Sequence, residues 1–404
     1  MSSSRTSFLA WMIWIIASIF YAYQYVLRVM PNIMLNDIMQ QFHIDAATFG
    51  QFAGIYYIGY SLMHLPIGIA LDRHGPRNIM SGCILLTVLG LTPLLFSDNW
   101  VFLILGRGLI GIGSSAAILG IFKIIRMTFK EARFPRMLSL SVTIGLLGAI
   151  YGGEPVNYLR SKLGYEAVIY SFAIAGILLA LATYFLIPHT KTPSQTTIRG
   201  DIKEVLSHRK VLWTCLSAGL MIGPLEGFAD VWGTSFLQQV YGLRGAVAAS
   251  LPSMIFIGMC FGAPVLNWIA ERARNYLLTI IGSGIAMAAG FILLLTYQTS
   301  NMLLTINFLV IGVCCAYQIL AIYKASTYVR PQIAGLTTAV ANMIMMTFGY
   351  AFHTAMGTII NAMGGPSSAQ ALFYGVGVIP IALCLGSLGF IVLFLREKIL
   401  GQER

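Results

Sequence analysis

Twelve stretches of this chain are long and apolar enough to cross a lipid bilayer, and that repetition constrains its fold more than anything else. A spanning helix needs about 20 mainly apolar residues. Segments of that kind fall at about 7–36, 46–71, 78–97, 101–126, 136–160, 165–188, 210–241, 246–270, 276–297, 302–325, 335–362 and 370–395. The runs are continuously apolar and do not alternate over about ten residues, so a β-barrel is excluded. Only 10% of the 404 residues are charged, against about 25% in soluble proteins, which leaves no room for a sizeable soluble domain. The expected fold class is an all-α, multi-pass integral membrane protein with 12 transmembrane helices.

Lys and Arg set the orientation. With the N-terminus in the cytoplasm, cytoplasmic segments hold 20 of the 25 basic residues. The opposite side holds Arg160, Lys162 and Arg244, while Arg28 and Arg107 fall within spans. Both termini are therefore expected to be cytoplasmic, with a bacterial inner membrane the natural setting. The net charge of +11 then reports topology, and the lipid bilayer, not nucleic acid, is the expected partner. The run from Phe8 is too long for a signal-peptide core. The six cysteines lie inside apolar runs without metal-ligand or disulfide spacing, so neither a metal nor a cofactor is expected.

The least hydrophobic stretch, 189–209, divides the chain into a six-span bundle at 1–188 and another at 210–404. Within it, Asp201 to Lys210 is predicted as a short amphipathic helix with Ile202, Val205 and Leu206 on one face. The halves repeat weakly. A shift of 199 residues sets Asp72-Arg73 on Glu271-Arg272, and Phe42-His-Ile-Asp45 on Tyr241-Gly-Leu-Arg244. A shift of 201 sets Ile118-Leu-Gly-Ile-Phe-Lys123 on Ile319-Leu-Ala-Ile-Tyr-Lys324. Parallel six-helix repeats of this kind build transporters that bind substrate near mid-membrane.

One loop is more specific. Gly68-Ile-Ala-Leu-Asp72-Arg73-His-Gly75-Pro-Arg77 lies between the second and third spans. It resembles the signature loop of the major facilitator superfamily, whose members are secondary transporters of 12 helices in two pseudo-symmetric bundles. Gly68 is read as allowing helices to approach, Asp72 as an acceptor for a neighbouring helix end or an Arg, and Gly75 as a tight turn. The resemblance implies that this cluster latches the cytoplasmic side during alternating access. The second-half copy, Glu271-Arg272-Ala-Arg274, keeps the charges and loses both glycines. Arg107-Gly-Leu-Ile-Gly111-Ile-Gly113 is similar to the family's fourth-helix pattern. Gly145-Leu-Leu-Gly148…Gly152-Gly153-Glu154-Pro155 only partly resembles its antiporter helix, so antiport is not inferred. Small residues at four-residue spacing mean close helix packing in any membrane bundle.

Five charges remain inside spans: Arg28, Arg107, Glu154, Glu226 and Asp230. Each costs about 2.5–3.5 kcal/mol at a helix centre on insertion scales. Arg28 shares a helix face with Tyr21, Gln24 and Tyr25, and Tyr56, Tyr57 and Tyr60 could extend that wall. A guanidinium there suits a carboxylate or phosphate held by two parallel bonds. An Arg ahead of Met30-Pro31 also looks like the organic-anion and organophosphate branches of the superfamily, with a shorter spacing here. Glu226 and Asp230 stand four apart, just after Gly223-Pro224, which can break the helix. Two carboxylates so close suit proton coupling or a substrate ammonium; a structural bridge to Arg28 is the alternative. Equal depth predicts that Arg107 and Glu154 form a buried pair or a proton relay. Lys123 and Lys324 are expected to snorkel, and His353 to pack in the core. Nothing selects Gln318, Asn307 or Asn342.

The leading expectation is a monomeric secondary transporter moving a small organic anion or zwitterion with protons. The alternative is a proton-driven multidrug or metabolite exporter. A non-transporting receptor or an intramembrane enzyme ranks below both, since no catalytic motif appears.

Overall fold

Proline, glycine and short polar caps set where the helices begin and break. Pro76 opens a helix at its first turn, where the missing N–H costs nothing, directly after Gly75. Asn99 caps the next helix by accepting the Val101 N–H at 2.9 Å. The computed structural model describes residues 2–130, 133–188, 198–296, 300–330 and 333–402. Twelve spanning segments result. In the first half they are span 1 (Phe8–Phe42), span 2 (Ala46–His74), span 3 (Pro76–Phe96), span 4 (Trp100–Thr128), span 5 (Arg136–Leu163) and span 6 (Tyr165–Leu186). In the second they are span 7 (Arg209–Gln239), span 8 (Gly245–Arg272), span 9 (Tyr276–Thr296), span 10 (Asn301–Ser326), span 11 (Ala334–Ala362) and span 12 (Ala369–Ile399). The described residues contain no strand.

Two compact units form: residues 1–44 with 55–195, and residues 45–54 with 196–404. In the first unit, glycines remove the Cβ atoms that would keep backbones apart. A side chain on Gly145 would strike the Tyr21 ring, and one on Gly148 the Ala22 carbonyl, so the antiporter-like glycines serve the packing of span 5 on span 1. Span 4 uses Gly111 against the Tyr56 carbonyl of span 2 and Gly113 against the Cys83 carbonyl of span 3. Polar contacts fix the register. Trp14 Nε1 donates to Ser141 Oγ at 2.8 Å, and Asp37 takes a two-pronged bond from Arg160, with Nη2 at 2.8 Å from Oδ1.

In the second unit, span 7 carries Gly219, Gly223 and Gly227 at four-residue intervals. Span 11 fills those notches with Phe348, Phe352 and Met356, also four apart. Residues 46–54 lie on another part of span 11: Gly50 approaches the His353 carbonyl, and Gly357 the Ala46 carbonyl. Asp45, just before span 2, accepts from Asn361 Nδ2 at 2.9 Å.

The repeat is visible in the contacts. Gly59 and Gly111 abut the Gly108 and Tyr56 carbonyls; Gly258 and Gly312 abut those of Leu309 and Ile255, which stand 199 or 201 positions later. Gln41 Nε2 donates to the Leu94 carbonyl at 3.2 Å, and Tyr241 Oη to the Leu294 carbonyl at 2.7 Å. Gly75 has φ +78°, and its counterpart Arg274 takes φ +50° although it is not glycine. The turn thus survives the loss of the residue that makes it easy.

The linker begins at 189–197, outside the described residues. Its helix, Ile198–Ser207, belongs to the second unit. Val205 is buried among Val211, Cys215, Ile333 and Val340. Ile202 is half-buried and Leu206 exposed, so the expected three-residue apolar face reduces to one anchor. Arg330 secures the helix by bonding Asp201 at 2.6 Å and Glu204 at 3.0 Å.

Candidate functional site

In the first unit the site grows from Pro31. A proline inside a helix cannot donate to the carbonyl four residues earlier, which leaves the Leu27 carbonyl of span 1 without its helical partner. Arg107 supplies the missing donor from span 4. Its Nη1 donates to the Leu27 carbonyl at 2.6 Å and its Nη2 to the Arg28 carbonyl at 2.7 Å. The guanidinium also lies 4.9 Å over the Tyr56 ring. Depth counting matches Arg107 with Glu154, but Glu154 accepts from Asn157 Nδ2 at 3.1 Å. It opens the short helix that restarts after Gly153, where a helix N-terminus favours a carboxylate.

Arg107 therefore holds the backbone that presents Arg28. The Arg28 side chain is only 7% exposed, and its guanidinium lies 5.1 Å from the Tyr25 ring centre and 5.3 Å from that of Tyr57. Tyr21 meets Tyr25 edge to face at 5.1 Å. Gln24 accepts the Tyr56 hydroxyl at 2.6 Å, and Tyr60 stacks on Tyr56 at 6.1 Å. The predicted residues of spans 1 and 2 thus form one aromatic wall around a buried cation. The ladder runs on to His64, whose ring is 5.2 Å from that of Tyr60. No sequence motif draws attention to His64.

In the second unit Glu226 and Asp230 are 1% and 0% exposed. They do not ride on an α-helix. Span 7 runs as a helix to Gly219, breaks at residues 220–222, and resumes at Gly223 as a nine-residue π-helix over Pro224–Trp232. The Gly233 N–H bonds back to the Phe228 carbonyl, five residues earlier. Tyr317 Oη satisfies the Ala218 carbonyl at the break, at 2.6 Å. In a π-helix a turn takes more residues than in an α-helix, so both acids lie within one wide turn. Every residue of that turn is buried. Glu226 lies within electrostatic range of Cys315 and Tyr317 on span 10. Beside them, Gln318 is 7% exposed, and its Nε2 has no hydrogen-bond partner among the described residues. Asn307, in contrast, donates to the Gly290 carbonyl at 3.0 Å and is used in packing. His353 is buried, as its expected core role requires.

The signature loop forms its contacts inside the first unit. Asp72 pairs with Lys123 at 2.9 Å, Arg77 lies 4.1 Å over the Tyr184 ring, and Arg73 is exposed. Gly75 has φ +78° and ψ 163°, a region nearly restricted to glycine. Gly68 gives no close approach: an added Cβ would meet only Leu119 at 3.8 Å. Glu271 and Arg272 are exposed. Neither lysine expected to snorkel does so alone. Lys123 has Asp72, and Lys324 bonds Glu397 of span 12 at 3.1 Å. Tyr328 donates to the same carboxylate at 2.6 Å, and burial, with that bond, holds its hydroxyl protonated well beyond the ordinary tyrosine range. The described residues contain no cluster of His, Cys, Asp and Glu able to hold a metal.

Residues 7–354 match the profile described as Major Facilitator Superfamily, a family of transporters and not of enzymes. An uncharacterized transporter, YybO of Bacillus subtilis, is 24% identical over 322 residues, 70% of this chain and 72% of that protein. Multidrug resistance protein MdtL of Citrobacter koseri is 23% identical over 60% of this chain and 62% of its own length. The crystal structure of the nucleoside transporter NupG superimposes with a TM-score of 0.74 at 16% identity, covering 96% of this chain and 99% of that one.

Proposed function

The chain belongs to the Major Facilitator Superfamily, and from that premise we propose a proton-coupled, alternating-access transporter of a small organic anion or zwitterion. The substrate class covers carboxylates, amino acids, short peptides and phosphate esters. The observation that carries it is the burial of Arg28 against Tyr25 and Tyr57. A guanidinium in that setting is poorly hydrated and offers a planar fork suited to carboxylate or phosphate. Arg107 holds the carbonyls of Leu27 and Arg28, which supports a fixed geometry for the fork. Tyr21, Gln24, Tyr25, Tyr57 and Tyr60 supply the apolar and hydrogen-bonding wall for the rest of the solute.

Glu226 and Asp230, enclosed in the π-helical turn, are assigned the proton or a substrate ammonium. Arg107 is assigned to positioning rather than to a proton relay. The Asp72–Lys123 pair and the loop from Gly68 to Arg77, with Glu271 and Arg272, are assigned to gating at the cytoplasmic ends of the spans.

A screen of anions, amino acids and short peptides by thermal shift on purified protein tests the substrate class, because a ligand of the folded state raises its melting temperature with concentration. With a hit in hand, Glu226→Gln and Asp230→Asn should each remove the pH dependence of uptake and leave exchange intact. pH-driven uptake that survives both changes removes the acids from coupling. The similarity to a multidrug resistance protein favours a second reading, proton-driven export. Stabilisation by lipophilic cations alone would select it.

A further inference from the structure

We propose that His64 is a second proton-binding site, in the first unit, whose occupation drives the protein out of the conformation described here. The inference rests on the proton-coupled reading for its use in transport, but not for its test.

His64 lies ten residues before the end of span 2 and is 4% exposed. Its ring touches Tyr60, and its Nδ1 has no hydrogen-bond partner among the described residues. A buried imidazole that serves only packing normally satisfies its ring nitrogens. This one leaves Nδ1 unbonded in a setting where an unbonded polar atom is costly.

The position is not isolated. His64 follows Tyr56 and Tyr60 at four-residue intervals, so the three rings share one helix face. Tyr56 stacks on Tyr60 and donates to Gln24, and Arg28 lies over the neighbouring Tyr57. The aromatic wall proposed to hold the solute therefore ends at an ionisable ring.

Protonation changes what that ring requires. A neutral imidazole carries one N–H and one acceptor nitrogen; the imidazolium carries two N–H donors. In this conformation an N–H at Nδ1 has no acceptor among the described residues. Among the described residues no carboxylate bonds its Nδ1. The charged groups on the elements packed around span 2 include Arg28 of span 1, reached through Tyr57, and Arg107 of span 4, reached through Tyr56; Asp37 of span 1 is bonded to Arg160, and span 11, against residues 46–54, carries the imidazole of His353. Asp72 lies eight residues further along span 2, about 12 Å at 1.5 Å per residue, and is bonded to Lys123 of span 4. Arg126 of span 4 and Arg73, His74 and Arg77 beyond Asp72 add positive charge or a second imidazole, but no acceptor. The surroundings thus accept a neutral His64 and oppose a charged one. The added proton favours any arrangement in which Nδ1 gains an acceptor or water, and that coupling makes the site a switch.

The test uses the full-length protein in lipid nanodiscs with no solute present, so its outcome is independent of whether Arg28 binds a substrate. Hydrogen exchange of the segment 55–75 is followed between pH 7.5 and pH 5, corrected for the intrinsic pH dependence of exchange. Wild type should lose protection by about tenfold or more as pH falls, the scale set by an unbonded buried donor. His64→Gln, which cannot be protonated, should keep its protection across the range. Loss of protection retained in full by His64→Gln overturns the proposal, as does a flat wild-type profile. The nitrogen resonances of a histidine-labelled wild type need no variant to fold. His64 should titrate in step with the loss of protection, and a ring that stays neutral while protection falls refutes the assignment.

Discussion

Arg107 bonds the Leu27 carbonyl that Pro31 leaves without its helical donor, so the two residues should be energetically coupled. Arg107→Met keeps much of the length of the side chain but removes both N–H donors, leaving the buried Leu27 and Arg28 carbonyls without them. Hydrogen bonds to charged groups contribute about 1.5–3 kcal/mol each, so the substitution should cost about 3–6 kcal/mol. In a Pro31→Ala background the N–H restored at position 31 can reach the Leu27 carbonyl by the ordinary helical bond. The same Arg107→Met change should then cost less by about 1.5–3 kcal/mol, the share of one bond. Reversible unfolding in mixed micelles of all four proteins gives this coupling directly as a double-mutant cycle. Additive effects, within about 0.5 kcal/mol, would show that Arg107 does not substitute for the helical bond lost at Pro31.

Three further outcomes follow from particular contacts. Asp45 accepts the Thr48 N–H at 2.8 Å and Asn361 Nδ2 at 2.9 Å, and these bonds, led by that N–H, hold its carboxyl below the ordinary carboxylate range. Its stabilisation is thus complete above the unfolded value and fades as pH falls through the folded one; the melting-temperature difference between wild type and Asp45→Asn should be present at pH 7 and vanish well below about pH 4. Gly75→Ala should cost about 1–3 kcal/mol, because its φ of +78° and ψ of 163° suit only glycine; Arg274→Gly, at φ +50°, should be neutral or stabilising in the same unfolding assay. Gly223→Ala would place a Cβ 2.7 Å from the Phe352 ring and should cost about 1–3 kcal/mol by overpacking. Phe352→Leu in the same chain should recover part of that loss, and an unchanged cost would remove the notch from the account.

The sequence made the spans legible because bilayer thickness imposes a length that no soluble helix must meet. The break just ahead of Gly223-Pro224 is legible for an equally elementary reason: proline lacks an N–H. The π-helix beyond it was not, because its hydrogen-bond register depends on what span 7 packs against and leaves no local pattern in the residues. Face counting along span 1 groups Arg28 with Tyr21, Gln24 and Tyr25. Arg107 is legible as a buried charge, but counting charges sets it beside Glu154 and overlooks the backbone carbonyls that it bonds. Pro31, four residues after Leu27, was the available signal. His64 escaped because one imidazole in an apolar run has no spacing partner, and only the structure shows its ring continuing a ladder. The Lys324–Glu397 pair joins spans 10 and 12, a separation that no local reading of the sequence spans.

On the proposed function, this transporter recognises an anionic group through Arg28. Counterflow in proteoliposomes loaded with unlabelled carboxylates, amino acids or phosphate esters tests it most directly. Wild-type protein should accumulate labelled external solute of at least one of these classes. Arg28→Lys should retain part of that exchange, and Arg28→Ala should abolish it while still showing a cooperative unfolding transition. Undiminished counterflow by Arg28→Ala, or wild-type counterflow confined to lipophilic cations, would contradict the account.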